Sequence, residues 1–232
     1  MRLAKPQIDV GLIVRQLDPM LAFWQREVGL RFEQRLPTGG GNHQHRHAIH
    51  GSIMKLNASR DPQPETPPSG YRELWIARSG ERDRALADPD GNRLRLVAPG
   101  ERGVVGIAMR VGVRDPDRHA AFYRDALGLE ADAAGVFVCG SSRLFVEPDS
   151  EAPGDASIRG TGYRYLTIQV HDCDAETDQA LRGGATLGAA PRTHGDVARF
   201  SMVRDPDGNW IEISQRASLT GALPPDPDEA RR

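Results

Sequence analysis

Cysteine is scarce: among 232 residues only Cys139 and Cys173 appear. Two are too few for a disulfide framework, so both are expected as thiols in a reducing compartment, the cytoplasm. An excess of charge is also lacking. Thirty Lys and Arg against 32 Asp and Glu leave a formal net charge of −2, which points to neither nucleic acid nor an anionic membrane as partner. No apolar run approaches the roughly 20 residues of a membrane span. The first ten residues, MRLAKPQIDV, hold no apolar core of signal-peptide length. What is there reads as a globular chain: 38% hydrophobic and 27% charged residues, long enough for one large or two small domains.

One short motif organises the rest. DPDGN occurs at 88–92 and again at 205–209. Proline presets φ, glycine takes φ > 0, and the Asp and Asn side chains bond nearby backbone, so each copy predicts a turn. A strand follows each turn, with alternate residues on opposite faces. After the second, Ile211 and Ile213 point one way while Trp210, Glu212 and Ser214 point the other.

Around these turns the chain repeats itself. AFWQREVGL (22–30) matches AFYRDALGL (121–129), and GYREL (70–74) matches GYRYL (162–166). Alternation predicts strands over 7–15, 31–36, 71–77, 105–113, 134–138, 143–146, 163–170 and 199–203, and one or two over 43–57. Helices are expected over 19–28, with Asp18 as N-cap, 116–126 and 174–182, with Gly29, Gly128 and Gly183 at or near their ends. The stretch from GYR to DPDGN is 25 residues longer in the second half; the first half lacks a helix and some strand there. The expectation is α+β: two tandem units of paired β-α-β-β-β modules whose curved antiparallel sheets form two clefts. Residues 1–98 make the first unit, its second module truncated, 99–103 a linker, 104–217 the second unit, and 218–232 a disordered tail.

A strand, a helix ending FYRDALGL and strands closing on DPDGNWIEI resemble the vicinal oxygen chelate superfamily, which includes glyoxalase I, bleomycin-resistance proteins and extradiol dioxygenases. The resemblance covers about residues 7–215. It implies metal-ligand positions at Ala108, Tyr165, Glu212 and Glu147 in the second unit, and at Asp9, Glu73, Arg95 and Lys55 in the first. Neither set offers the converging His and carboxylates that a mononuclear metal requires. The resemblance therefore implies a small-molecule enzyme, an isomerase or lyase acting on an oxygenated organic substrate without the usual metal. One alternative is a non-catalytic binder of bleomycin-resistance type; another is a metal-dependent dioxygenase. A homodimer with modules swapped between chains is compatible with the fold.

The polar strand faces supply candidates. Glu212, Tyr165 and Glu147 are the expected catalytic group, with a carboxylate as base and Tyr165 as acid or orienter. Arg110, Arg143, Phe145, Thr167 and Gln169 are the expected substrate contacts, an Arg serving as clamp for an anionic or carbonyl oxygen. Asp9, Glu73, Arg93 and Arg95 read as a self-satisfied ion-pair network. No cofactor is expected. If Fe, Zn or Mn binds, His45 and His47, which share one strand face, would hold it with Glu73, Asp9 or Glu212.

Overall fold

The computed structural model describes residues 1–132 and 135–226. The first module runs β1 (Leu3–Val14), α1 (Leu17–Ala22), which widens into a π turn at Phe23–Glu27, β2 (Arg31–Gly39), β3 (Asn42–Ile49) and β4 (Ser52–Ala58). The second holds only β5 (Tyr71–Ala77), β6 (Asp83–Ala87) and β7 (Arg93–Val97). The third is β8 (Ile107–Val113), α2 (Pro116–Asp125), β9 (Glu130–Ala131), β10 (Phe137–Cys139) and β11 (Ser142–Pro148). The fourth is β12 (Gly162–Val170), α3 (Cys173–Arg182), β13 (Thr186–His194), β14 (Ala198–Arg204) and β15 (Trp210–Arg216), followed by the turn-length helix α4 (Ala217–Thr220).

The modules do not pair in chain order. One sheet runs β13-β14-β15-β12-β1-β4-β3-β2 and so joins the fourth module to the first. The other runs β6-β7-β5-β8-β11-β10-β9 and joins the second to the third. The joints are antiparallel, β1 to β12 and β5 to β8. Inside each module the first and last strands run parallel, as in β1–β4 and β12–β15. Residues 99–103 thus connect strands of one sheet, and each cleft draws on both halves of the chain.

Period-two alternation decides which side chains go where. Ile8, Val10, Leu12, Leu74, Met109 and Ile213 enter one core shared by both sheets. The helix aromatics Phe23, Trp24, Phe122 and Tyr123 are buried in it. Asp115 caps α2 by accepting from Arg118 N at 3.0 Å, and Asp172 caps α3 through Ala175 N at 3.0 Å. At α1 the cap is Gln16, without a side-chain bond. Asp18, the expected cap, lies inside the first turn, where a negative charge still favours the unpaired amides.

Both DPDGN segments are turns. Asp88 Oδ1 accepts from the amides of Asp90 and Asn92, and Asp205 Oδ1 from those of Asp207 and Asn209. The glycines take φ of +85° and +79°, a region open to Gly at little cost. Each turn also fastens the sheets to each other. Asp90 accepts from Arg15 N beyond β1, and Asp207 from Arg114 N beyond β8. Of the tail expected to lack order, α4 forms a helical turn, and Thr193 bonds Pro224 and Asp226; residues 227–232 lie outside the described residues, as does position 134 of the strand expected over 134–138.

Candidate functional site

The polar strand faces form two hollows of opposite character. In the β5–β8 sheet Trp75 and Phe145 meet edge to face at 5.3 Å between centroids, and the Arg102 guanidinium lies over both. Glu73 accepts from Trp75 Nε1 at 2.8 Å and from Arg110 at 3.2 Å, with Arg95 at 3.6 Å. Arg110 also reaches Glu147 at 2.8 Å. This hollow is filled by its own rings and paired charges. A crevice of 570 Å³ beside it passes Arg72, Arg93 and Arg110, but Arg72 is held by Asp149 at 2.7 Å, and Arg110 by the two glutamates.

The β1–β12 sheet encloses a cup of 440 Å³, within the range of small-molecule sites. Lys55, on β4, is buried at its floor. Its Nζ donates to Thr167 Oγ1 at 2.5 Å and to Glu212 Oε2 at 3.0 Å, and lies 5.2 Å from the centre of the Tyr165 ring. Burial pushes the Lys55 ammonium below its ordinary pKa, against the pull of Glu212 and Asp9. Thr167 Oγ1 also donates to Glu212 Oε2 at 3.2 Å, and no bond within the described residues takes Oε1. Tyr165 OH donates to Asn57 at 3.3 Å and accepts from Gln44 at 3.3 Å. Burial, then the Glu212 charge, pushes the phenol well above its usual range, so Tyr165 serves as a hydrogen-bond donor and not as an anion. Phe200 and Met202 give the cup an apolar wall.

The predicted constellation is therefore divided. Glu212, Tyr165, Thr167 and Gln169 come together in the cup. Glu147, Arg110 and Phe145 belong to the other sheet, because the second half does not fold onto itself. Arg143 bonds Gly103 O and Asp132, and neither it nor Arg110, the two expected clamps, lines the cup that holds Glu212. The metal alternatives fall apart for the same kind of reason. His45 and His47 sit on the face of β3 opposite Gln44 and Arg46, against Phe32, with His47 bonded to Gln25 at 3.0 Å. Burial pushes both imidazoles down. Glu73 is in the other sheet. Asp9 is spent on Lys5, Ile53 N and Gln169.

The metal that the sequence resemblance implies does not fit the cup. At its floor stands an ammonium, bonded to the one carboxylate of the lining, and a divalent ion there would face Lys55 at close range. Among the described residues no group of three His, Cys, Asp or Glu could hold an ion.

Sequence reasoning gave Lys55 only as an implied ligand position of the first unit and overlooked Arg46 and Arg216. A signal for each was present. Arg46 alternates with the histidines of β3, and Arg216 follows Glu212 and Ser214 at period two.

Gly11 shows how tightly the cup is made. A Cβ there would lie 2.2 Å from Tyr165 Cε1. Gly11→Ala is expected to swing the ring off Gln44 and Asn57 and to cost about 1–3 kcal/mol in urea denaturation. An unchanged midpoint would mean the ring is not held over Gly11.

Residues 105–213 match the family described as Glyoxalase/Bleomycin resistance protein/Dioxygenase superfamily. This segment belongs to that superfamily. Over 90% of its length the chain shares the fold of glyoxalase I from Zea mays, at 13% identity, 92% of that chain and a TM-score of 0.71. It is also similar to a putative dioxygenase from Bacillus subtilis subsp. subtilis str. 168, at 13% identity, 93% and 85% coverage and a TM-score of 0.64. No curated protein matches the chain. No helix among the described residues is long and apolar enough to cross a membrane.

Proposed function

We propose that the β1–β12 cup is a metal-independent active site that moves a proton on a small oxygenated substrate, an isomerase or lyase chemistry. The observation that carries this reading is the Lys55–Glu212 contact at 3.0 Å, an acid and a base side by side in a hollow of small-molecule size. Glu212 Oε1 takes a proton from the carbon beside a substrate carbonyl. The C–H electron pair moves into the carbonyl, whose oxygen becomes an enolate. Lys55 donates a hydrogen bond to that oxygen, supplying by a side chain the charge stabilisation an oxyanion needs. Return of the proton to a neighbouring position completes an isomerisation; loss of a leaving group completes an elimination. Tyr165, whose single O–H is given to Asn57, helps to orient the substrate as part of the cup's wall.

The test is exchange of the carbon-bound proton in D2O, followed by NMR over a panel of small carbonyl and hydroxy acids. Wild type should exchange at least one of them. Glu212→Gln should slow exchange by about 10²–10⁴-fold, the contribution of a positioned general base, with an unchanged circular dichroism spectrum. Exchange that survives in Glu212→Gln sinks the assignment. The binding-only reading is favoured by one feature, Arg192 stacked 4.9 Å from the Phe200 ring at the rim, which offers a flat surface to an aromatic compound. Ligand-induced stabilisation with no exchange for any compound would select it.

A further inference from the structure

The cup has more positive charge than it uses. Lys55, Arg46, Arg192 and Arg216 line it, and Glu212 is its one carboxylate. Glu212 already serves Lys55. None of the three arginines forms an ion pair among the described residues. Arg46 is the sharpest case: it is 4% exposed, its Nη1 donates to the neutral Gln44 amide at 2.7 Å, and its Nε is buried without any partner. Arg216 feels the field of Arg46 and is pushed down in pKa by burial and by that neighbour. Buried donors of this kind leave a full desolvation penalty standing until something accepts from them, and a guanidinium's natural acceptor is a carboxylate gripped by its fork.

A second orphan has the opposite polarity. Gln169 is 2% exposed, lines the cup and gives its Nε2 to Asp9, while its Oε1 is buried with no donor. It calls for a hydroxyl. Phe200 and Met202 provide the apolar wall beside these groups, which a bare inorganic anion would leave uncovered.

We infer that the cup's ligand is an organic carboxylate bearing a neighbouring hydroxyl and an apolar body, its carboxylate held by Arg46 and Arg216 and its hydroxyl by Gln169. This rests on the cup being the functional site and names the class of molecule it takes.

Calorimetric titration of the full chain with four probes tests it: mandelate, phenylacetate, benzyl alcohol and inorganic phosphate. Mandelate should bind at least tenfold tighter than benzyl alcohol, and severalfold tighter than phenylacetate, which lacks the hydroxyl. Phosphate should bind more weakly than either organic acid. Arg216→Gln, at a half-exposed position that tolerates the change, should weaken mandelate at least tenfold and leave benzyl alcohol alone. Glu212→Gln, which removes the cup's one carboxylate, should bind mandelate at least as tightly as wild type. Equal affinity for mandelate and benzyl alcohol overturns the inference, as does no binding of mandelate, or phosphate binding as well as mandelate. The outcomes separate from those of the catalytic reading: mandelate held normally by a Glu212→Gln variant that still exchanges carbon-bound protons removes Glu212 as base and leaves the anion site standing.

Discussion

Replacing Asp205 with Ala is expected to destabilise the protein by about 4 kcal/mol in urea denaturation. Three bonds go at once: the amides of Asp207 and Asn209 lose their acceptor at 3.0 and 2.8 Å, and the Asn209 side chain loses its own at 2.8 Å. Asn209 in turn accepts from Gly70 N at 2.6 Å, so the damage crosses to the other sheet. His119 adds a dependence on pH. Its fully buried ring lies 3.5 Å from Asp205 and 3.7 Å from Asp207. Burial lowers its pKa, but the nearby carboxylate of Asp205 outweighs this, and the net shift is upward from 6.5. A raised folded-state pKa gives stability that is fully present below the unfolded value and is lost as pH rises through the folded one. The gap between wild type and Asp205→Ala should therefore be widest below about pH 6.5 and narrow above it. Asp205→Asn, which keeps an acceptor for the two amides but not the charge, should lose the pH-dependent part and less of the rest. A gap that does not change with pH would show that His119 is not charged in the fold.

Lys55→Met should cost about 3–5 kcal/mol, because it strands Glu212 in a largely enclosed hollow with only Thr167 to bond it. The same change made together with Glu212→Leu should recover most of that loss, since an apolar pair of similar volume avoids both desolvation penalties. Equilibrium denaturation of the two single variants and the double variant reads the coupling directly. If the double variant is no more stable than Lys55→Met alone, the two groups do not depend on each other and the floor of the cup has been misread.

Much of the architecture was legible because it rests on local chemistry. The DPDGN turns, the FYRDALGL helix and the alternating strands each carry their own physical reason, and the truncated second module followed from a difference in spacing. Three edge strands were not legible, one of them the two-residue Glu130–Ala131. Thr186–His194 reads TLGAAPRTH and is exposed along most of its length, so no buried face imposes a period of two. Asp83–Ala87 is similarly exposed. The candidate site was half legible for a different reason. Alternation assigns a residue to a face of its strand, and Glu212, Tyr165, Thr167 and Gln169 were placed that way. It does not say which strands become neighbours. That is decided by the joints β1–β12 and β5–β8, which are long-range and leave no mark on either strand alone. Hence Lys55, on the first half of the chain, came to face Glu212, 157 residues away, while Glu147 went elsewhere.

That interlacing makes each hollow the joint property of the two halves of the polypeptide. A break in the segment between β7 and β8 would yield two fragments, neither with a whole cup. Each would bare the raw margins of two strands, β1 and β5 on one piece, β12 and β8 on the other, whose amides and carbonyls only the missing piece can satisfy in register. Such an architecture favours reassembly of fragments over their separate survival, and binds the histories of its two halves together: a substitution on one side of the duplication is judged by the surface its distant counterpart presents.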